Sequence, residues 1–169
     1  IQQMELESEL KINFQDYKII GNIGFGSFGP VFLVENNNTH KRYAAKVSYK
    51  EYTNEVDQVY FSTLMQSYSK LDNPAIAKIE GFHIVDFFDE KRFTILNNYM
   101  PKGSLDHVFK TERKYFTKTK RYLNLLGIAI GMQYLHSKDI VHGNLNPDNI
   151  LLDEHNYPYI IDFGLTKFT

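Results

Sequence analysis

His142-Gly143-Asn144-Leu145-Asn146-Pro147-Asp148-Asn149, with Asp162-Phe163-Gly164 thirteen residues further on, decides how this chain is read. Both stretches are loops by composition, and short β-rich runs at 150–152 and 159–161 lie between them. Asn144 is a neutral amide, able to orient a hydroxyl but not to take its proton near pH 7. Upstream, Leu123, Leu126, Ile130, Gln133 and Tyr134 predict a long helix ending near His136. Its Tyr122, Leu125, Leu126, Ile128, Ala129, Ile130 and Met132 make it apolar around most of the cylinder, a pattern that expects burial all round. Pro101-Lys102-Gly103-Ser104 is a turn before it. Further upstream, β-rich runs occupy 17–23, 30–34, 42–47, 77–82 and 92–96. A helix is predicted over 53–70, where Val56, Val59, Tyr60, Leu64, Tyr68 and Leu71 recur at threes and fours, and Asp72-Asn73-Pro74 stops it. Strands first, then helices, predicts an α+β chain in two lobes.

Composition narrows the function classes. A chain of 169 residues suits one domain or two small lobes. The net charge of -1 argues against general nucleic-acid binding. No apolar run approaches the ~20 residues of a membrane span, so no membrane partner is expected. Cysteine is absent, which excludes disulfides and thiolate metal sites and fits a reducing compartment, the cytoplasm being the expected location. Residues 1–13 read as a leader, too acidic and polar at their start for a signal peptide. The Asn37-Asn38-Thr39 sequon lies in an Asn-rich turn, and the six histidines show no metal-ligand spacing.

Gly24-Phe25-Gly26-Ser27-Phe28-Gly29 satisfies G-x-G-x-x-G. A dinucleotide fold needs a helix to start at the last glycine, and a Walker loop needs Lys and Ser/Thr after it. Here Pro30-Val31-Phe32-Leu33-Val34 continues as a strand. The remaining readings are an ordinary glycine-rich hairpin and a glycine lid whose backbone, free of Cβ atoms, comes close to phosphate oxygens.

Together with Tyr43-Ala44-Ala45-Lys46, the hinge-like Thr94-Ile95-Leu96-Asn97-Asn98-Tyr99-Met100-Pro101, and the loops quoted first, this hairpin resembles the eukaryotic protein kinase domain, with a tyrosine-kinase-like flavour at the hinge. The resemblance runs from about Phe14 to the end of the chain. It implies a small lobe over 14–97, a five-stranded sheet plus helix C, and a hinge with part of the large lobe over 98–169. It also implies an ATP site. Ile23, Gly24, Gly26, Ser27, Phe28, Gly29 and Val31 would cover the nucleotide, Ala44 and Leu151 would sandwich adenine, and backbone groups of Asn98, Tyr99 and Met100 would bond it. Lys46 would hold the α and β phosphates, and Asn149 and Asp162, with oxygens suited to a hard cation, would hold Mg²⁺. Asn97 falls at the gatekeeper position.

The departures from the family pattern fall on working polar residues. Gly143 stands where the family has the arginine that clamps a phosphorylated activation loop, Asn144 where it has the catalytic base, and Asn146 where it has the lysine or arginine that helps hold the γ-phosphate. His142, Leu145, Pro147 and Asn149 keep the loop's architecture. Leu64 stands where helix C should carry the glutamate that pairs with Lys46; Glu55, nine residues earlier, is the rival. The activation segment, the Ala-Pro-Glu motif and the later large-lobe helices are not in these residues, so the resemblance predicts a fold truncated shortly after Asp-Phe-Gly. Either a protein partner or the remaining large-lobe segment of a longer parent would then cover the long helix. Three readings follow: an ATP-binding, catalytically impaired pseudokinase acting by protein interaction; an active Ser/Thr or Tyr kinase completed outside this chain; and a non-functional gene fragment.

Overall fold

The computed structural model describes residues 10–169, which divide into two compact units. The first takes the described residues up to Leu71, with Lys78–Tyr99 and Phe168–Thr169; the second takes Asp72–Ala77 and Met100–Lys167. Residues 1–9 of the expected leader lie outside the described residues, and its last part is built into the first unit. Ile12 is buried, and its N–H donates to Phe82 O at 3.2 Å.

The first unit is an antiparallel sheet of β1 (Tyr17–Phe25), β2 (Pro30–Asn36), β3 (Arg42–Val47), β4 (Ile79–His83) and β5 (Thr94–Asn98), in the order β1-β2-β3-β5-β4. Side chains alternate across a strand, so the register decides what shares a face. Phe32 faces Ala45, which faces Leu96; with Val34 and Ile12 these build one apolar cluster, flanked by Phe14, Tyr17, Tyr43 and Phe87. Val31 pairs with Lys46 and Lys46 with Ile95, while Leu33 pairs with Ala44 and Ala44 with Asn97. That second set forms the other face.

Helix α1 (Glu55–Ser69) is capped by Asn54, whose side chain accepts from Val56 N at 2.9 Å. The predicted helix is present, and the first half of its predicted stripe is corrected. Val56, Val59 and Tyr60 are exposed, whereas Tyr68 and Leu71 are buried as expected, together with Phe61 and Met65. Phe61 stacks on Phe93 with centroids 4.0 Å apart, and Phe93 stacks on Tyr52 at 4.2 Å. Phe168 lies edge-on to all three, at 5.4 to 5.6 Å. The aromatic box, not the branched residues, fixes the rotation of α1.

The second unit holds α2 (Leu105–Thr111), α3 (Lys118–Ser137) and the hairpin β6 (Ile150–Leu152) with β7 (Pro158–Ile160). Two strand boundaries are corrected. The run expected at 77–82 starts at Ile79, because Ala77 pairs elsewhere: its N–H donates to Ile160 O at 3.0 Å, and Ile160 N donates to Ala75 O at 2.7 Å. The run expected at 92–96 starts at Thr94 and ends at Asn98. Helix α3 buries Asn124, Gly131 and Leu135. Asn124 Nδ2 donates to Asn156 O at 2.9 Å. Tyr122, Leu123, Leu125, Leu126 and Ile130 are 45 to 78% exposed, so the helix is apolar all round without being buried all round. Contiguous apolar patches beyond a few hundred Å² are rare on monomers. The chain is therefore expected to enhance a hydrophobic dye's fluorescence and to sediment as concentration-dependent oligomers. Leu125→Lys/Ile130→Lys is expected to suppress both; a dye-silent, monodisperse wild type would contradict the exposure of this face.

Candidate active site

The glycine hairpin joins β1 to β2, and Gly26 N–H donates to Gly29 O at 3.0 Å. Its three glycines differ in kind. A Cβ on Gly29 would collide with the Val47 carbonyl, so this glycine is required by the approach of two strands. A Cβ on Gly24 would meet nothing within 4 Å, and one on Gly26 only Gly29 O at 3.8 Å. No described residue asks for glycine at either position, and the space beside both is open to a ligand. Ile23 and Phe25 are exposed and Ser27 also lies on the surface, whereas Phe28 is 2% exposed. Phe28 thus has only backbone to give to a ligand over the loop.

Ala44 and Lys46 sit on the same sheet face as Val31 and Asn97, and Lys46 is 6% exposed. Asn97 turns its amide N–H to Lys78 O at 2.7 Å. Asn98 Nδ2 donates to Glu80 Oε1 at 2.6 Å, and its Oδ1 is buried without a partner among the described residues. Tyr99 N–H is used on Arg42 O, at 3.4 Å. Met100 N–H has no acceptor among the described residues, which leaves it available to a ligand. Glu55 is exposed at the first turn of α1, and Leu64 is half-buried two turns later, one position before buried Met65.

The second unit carries the loops quoted first. His142 is 2% exposed and accepts from Asn144 N at Nδ1, 3.2 Å away, while His142 O accepts from Gly164 N at 3.1 Å. The ring thus braces its own loop, and the backbone carbonyl of the same residue ties that loop to the second. Gly143 has φ +81°, and a Cβ there would collide with Thr166 Cγ2. Asp162 and Gly164 are also left-handed, at φ +59° and +67°. Aspartate tolerates this region better than most residues, and Asp89 and Asp139 adopt it in turns elsewhere in the chain.

Asn144 O accepts from Asn149 Nδ2 at 2.7 Å and from Asn146 Nδ2 at 3.2 Å. Asn144 Oδ1 accepts from Asn146 Nδ2 at 3.1 Å. The donation by Asn149 Nδ2 fixes that amide's orientation and leaves Oδ1, the atom a hard cation needs. Asn146 has both ends occupied: its Oδ1 accepts from Asp148 N at 2.9 Å and Asn149 N at 3.3 Å, capping the 3₁₀ turn Pro147–Asn149. The γ-phosphate position expected for Asn146 is therefore held by a loop brace. An Asn before Pro147 suits an N-cap, but the spacing alone does not choose between a cap and a ligand-facing amide. Leu151 is half-buried on β6. The first unit thus offers glycines with open space beside them, and the second a hinge N–H without an acceptor among the described residues and an oriented amide oxygen of the kind a hard cation takes.

Burial pushes the pKa of His142 down, against the Ile161 backbone and the Asp162 carboxylate, and burial does the same to His83. The unfolded imidazole titrates near 6.5. The stability each neutral ring brings is complete above about pH 6.5 and is lost as pH falls toward the depressed folded value. Urea midpoints are expected to decline between pH 7.5 and 5, and His83→Asn is expected to reduce the decline. A midpoint that is flat over this range would contradict the depressed pKa of buried His142 and half-buried His83.

The family model described as "Protein kinase domain" matches residues 17–169. The chain is 31% identical over 162 residues to "Protein kinase 3" of Dictyostelium discoideum, which covers 95% of this chain and 17% of that protein. It is 32% identical over 157 residues to "Serine/threonine-protein kinase 32B" of Homo sapiens, covering 92% and 36%. It is 28% identical over 159 residues to "cAMP-dependent protein kinase type 3" of Saccharomyces cerevisiae, covering 94% and 39%. With a mixed fold of a five-stranded antiparallel sheet, α1 and the start of a helical second unit, the chain belongs to the protein kinase domain family. It spans less than two-fifths of the length of these three relatives.

Proposed function

We propose that this chain is a nucleotide-binding, catalytically impaired kinase domain that acts through protein contacts, in the cytoplasm. The observation that carries the impairment is Asn144. Its amide stands at the base position, and its Oδ1 is held by Asn146. A neutral amide cannot accept the hydroxyl proton, and general-base assistance contributes typically 10²–10⁴-fold. In this reading Lys46 holds the α and β phosphates, and Asn149 and Asp162 hold Mg²⁺. The bound cation would neutralise phosphate charge. The hinge N–H of Met100 and the open space beside Gly24 and Gly26 support the binding half of the reading. The loss of the γ-phosphate contact at Asn146 supports the impaired half, as does Leu64 at the helix-C glutamate position if Glu55 does not substitute for it.

The second reading is a working kinase completed outside these residues. The retained Lys46, Asn149 and Asp162 favour it, since much phosphoryl-transfer catalysis is positioning and electrostatics. The relatives' names favour Ser/Thr over Tyr specificity for it and lend no weight to the tyrosine-kinase-like flavour. Thermal shift with Mg-ATP tests the nucleotide half. A saturable rise in melting temperature that weakens in Lys46→Met is expected. No shift at millimolar nucleotide, in a sample that melts cooperatively, would overturn it.

A further inference from the structure

We infer that the loop between α2 and α3 forms a docking pocket for a phosphorylated side chain on a partner protein. Residues 110–121 contain six of the chain's 19 Lys and Arg but one carboxylate, on a chain of net charge -1. Lys110, Glu112, Arg113, Lys114, Tyr115 and Arg121 line an open concavity of about 660 Å³.

Three features separate this pocket from an ordinary solvated charge run. The first is neutralisation of its carboxylate: Lys102 Nζ lies 3.3 Å from Glu112 Oε2, so Glu112 does not cancel the lining cations. The second is pre-organisation of one cation. Arg121 donates from Nε to Phe116 O at 3.2 Å, and its guanidinium lies 5.6 Å over the Phe109 ring. Phe116 is 3% exposed and packs on Phe109 with centroids 5.0 Å apart, so the fork is held on a fixed wall with its terminal nitrogens left to face a ligand. The third is unused charge. Lys110 pairs with Asp106 at 2.6 Å, but the side chains of Arg113 and Lys114 have no ion pair among the described residues. Thr117 caps the start of α3 by accepting from Lys120 N, and the cations lining the pocket are side chains.

A held guanidinium with two adaptable cations beside it suits a tetrahedral dianion, which takes several charge-assisted hydrogen bonds at once. A lipid surface favours cations on an exposed amphipathic face with apolar side chains inserted, whereas these cations line a concavity.

The test is fluorescence anisotropy of the intact chain with a labelled phosphoserine peptide pool, randomised at flanking positions. The arms are the same pool without phosphate, inorganic phosphate as competitor, and phosphatidylserine vesicles. Saturable binding is expected, at least about tenfold weaker without the phosphate, competed by inorganic phosphate and weakened by salt. Arg113→Gln/Lys114→Gln is expected to lose about tenfold or more without moving the melting temperature. Arg121→Lys is expected to weaken binding although charge is retained. Equal binding of both pools, binding to vesicles alone, no binding at millimolar peptide, or an unaffected double variant would each overturn the assignment.

Discussion

Phe93→Ala is expected to destabilise the chain by about 3–5 kcal/mol, lowering the melting temperature by roughly 10 °C. Phe93 is fully buried, stacked between Phe61 and Tyr52, with the edge of Phe168 against it. Truncation removes the middle of a stack whose neighbours, Tyr52 on the loop before α1 and Phe61 on α1, cannot collapse into the gap together. Val56→Ala, on the exposed side of the same helix, is expected to stay within about 0.5 kcal/mol of wild type. Both are measured by urea denaturation with a shared m-value. A Phe93→Ala chain within 1 kcal/mol of wild type would contradict the aromatic box as the feature that seats α1.

The second large effect separates two glycines of one motif. Gly29→Ala is expected to cost about 1–3 kcal/mol or more, because its Cβ meets the backbone carbonyl of Val47 and a strand must shift. Gly24→Ala is expected to leave stability unchanged or slightly raised, since open space surrounds it. The same change is expected to weaken Mg-ATP, on the order of tenfold or about 1.4 kcal/mol, by holding phosphate away from the backbone. Urea midpoints and nucleotide titration read the two effects separately. Equal destabilisation by both alanines would contradict the division between a packing glycine and a ligand-facing one.

Much of this fold was legible because its punctuation is local. The glycine hairpin, the Asp72-Asn73-Pro74 stop and the strand runs follow from turn chemistry and alternation. The rotation of α1 was not, because Val56 and Val59 match a helical period as well as Phe61 and Met65 do. Only the position of Phe93 across the sheet chooses between the two stripes. The boundary at Ala77 was missed for a related reason: its partner, Ile160, lies 83 residues away in sequence. At the site, the positions of Lys46, Asn149 and Asp162 came from motif spacing. The employment of Asn146 as a brace did not, since the same amide could have faced a ligand. Only the bonds to Asn144, Asp148 and Asn149 place it.

Gly143 illustrates a departure with a local cause. Its left-handed φ and the approach of Thr166 leave no easy room for a side chain, so restoring an arginine there strains the loop. Restoring Asn144→Asp alone is likewise expected not to rescue activity, because residues that act as a unit are non-additive.

The most direct test of the central claim is incorporation of radiolabelled γ-phosphate into protein by the intact wild-type chain, measured beside Lys46→Ala. The account predicts incorporation no higher than in Lys46→Ala, in a sample that binds Mg-ATP. Steady incorporation that disappears in Lys46→Ala would contradict it and establish a working kinase that dispenses with an aspartate at position 144.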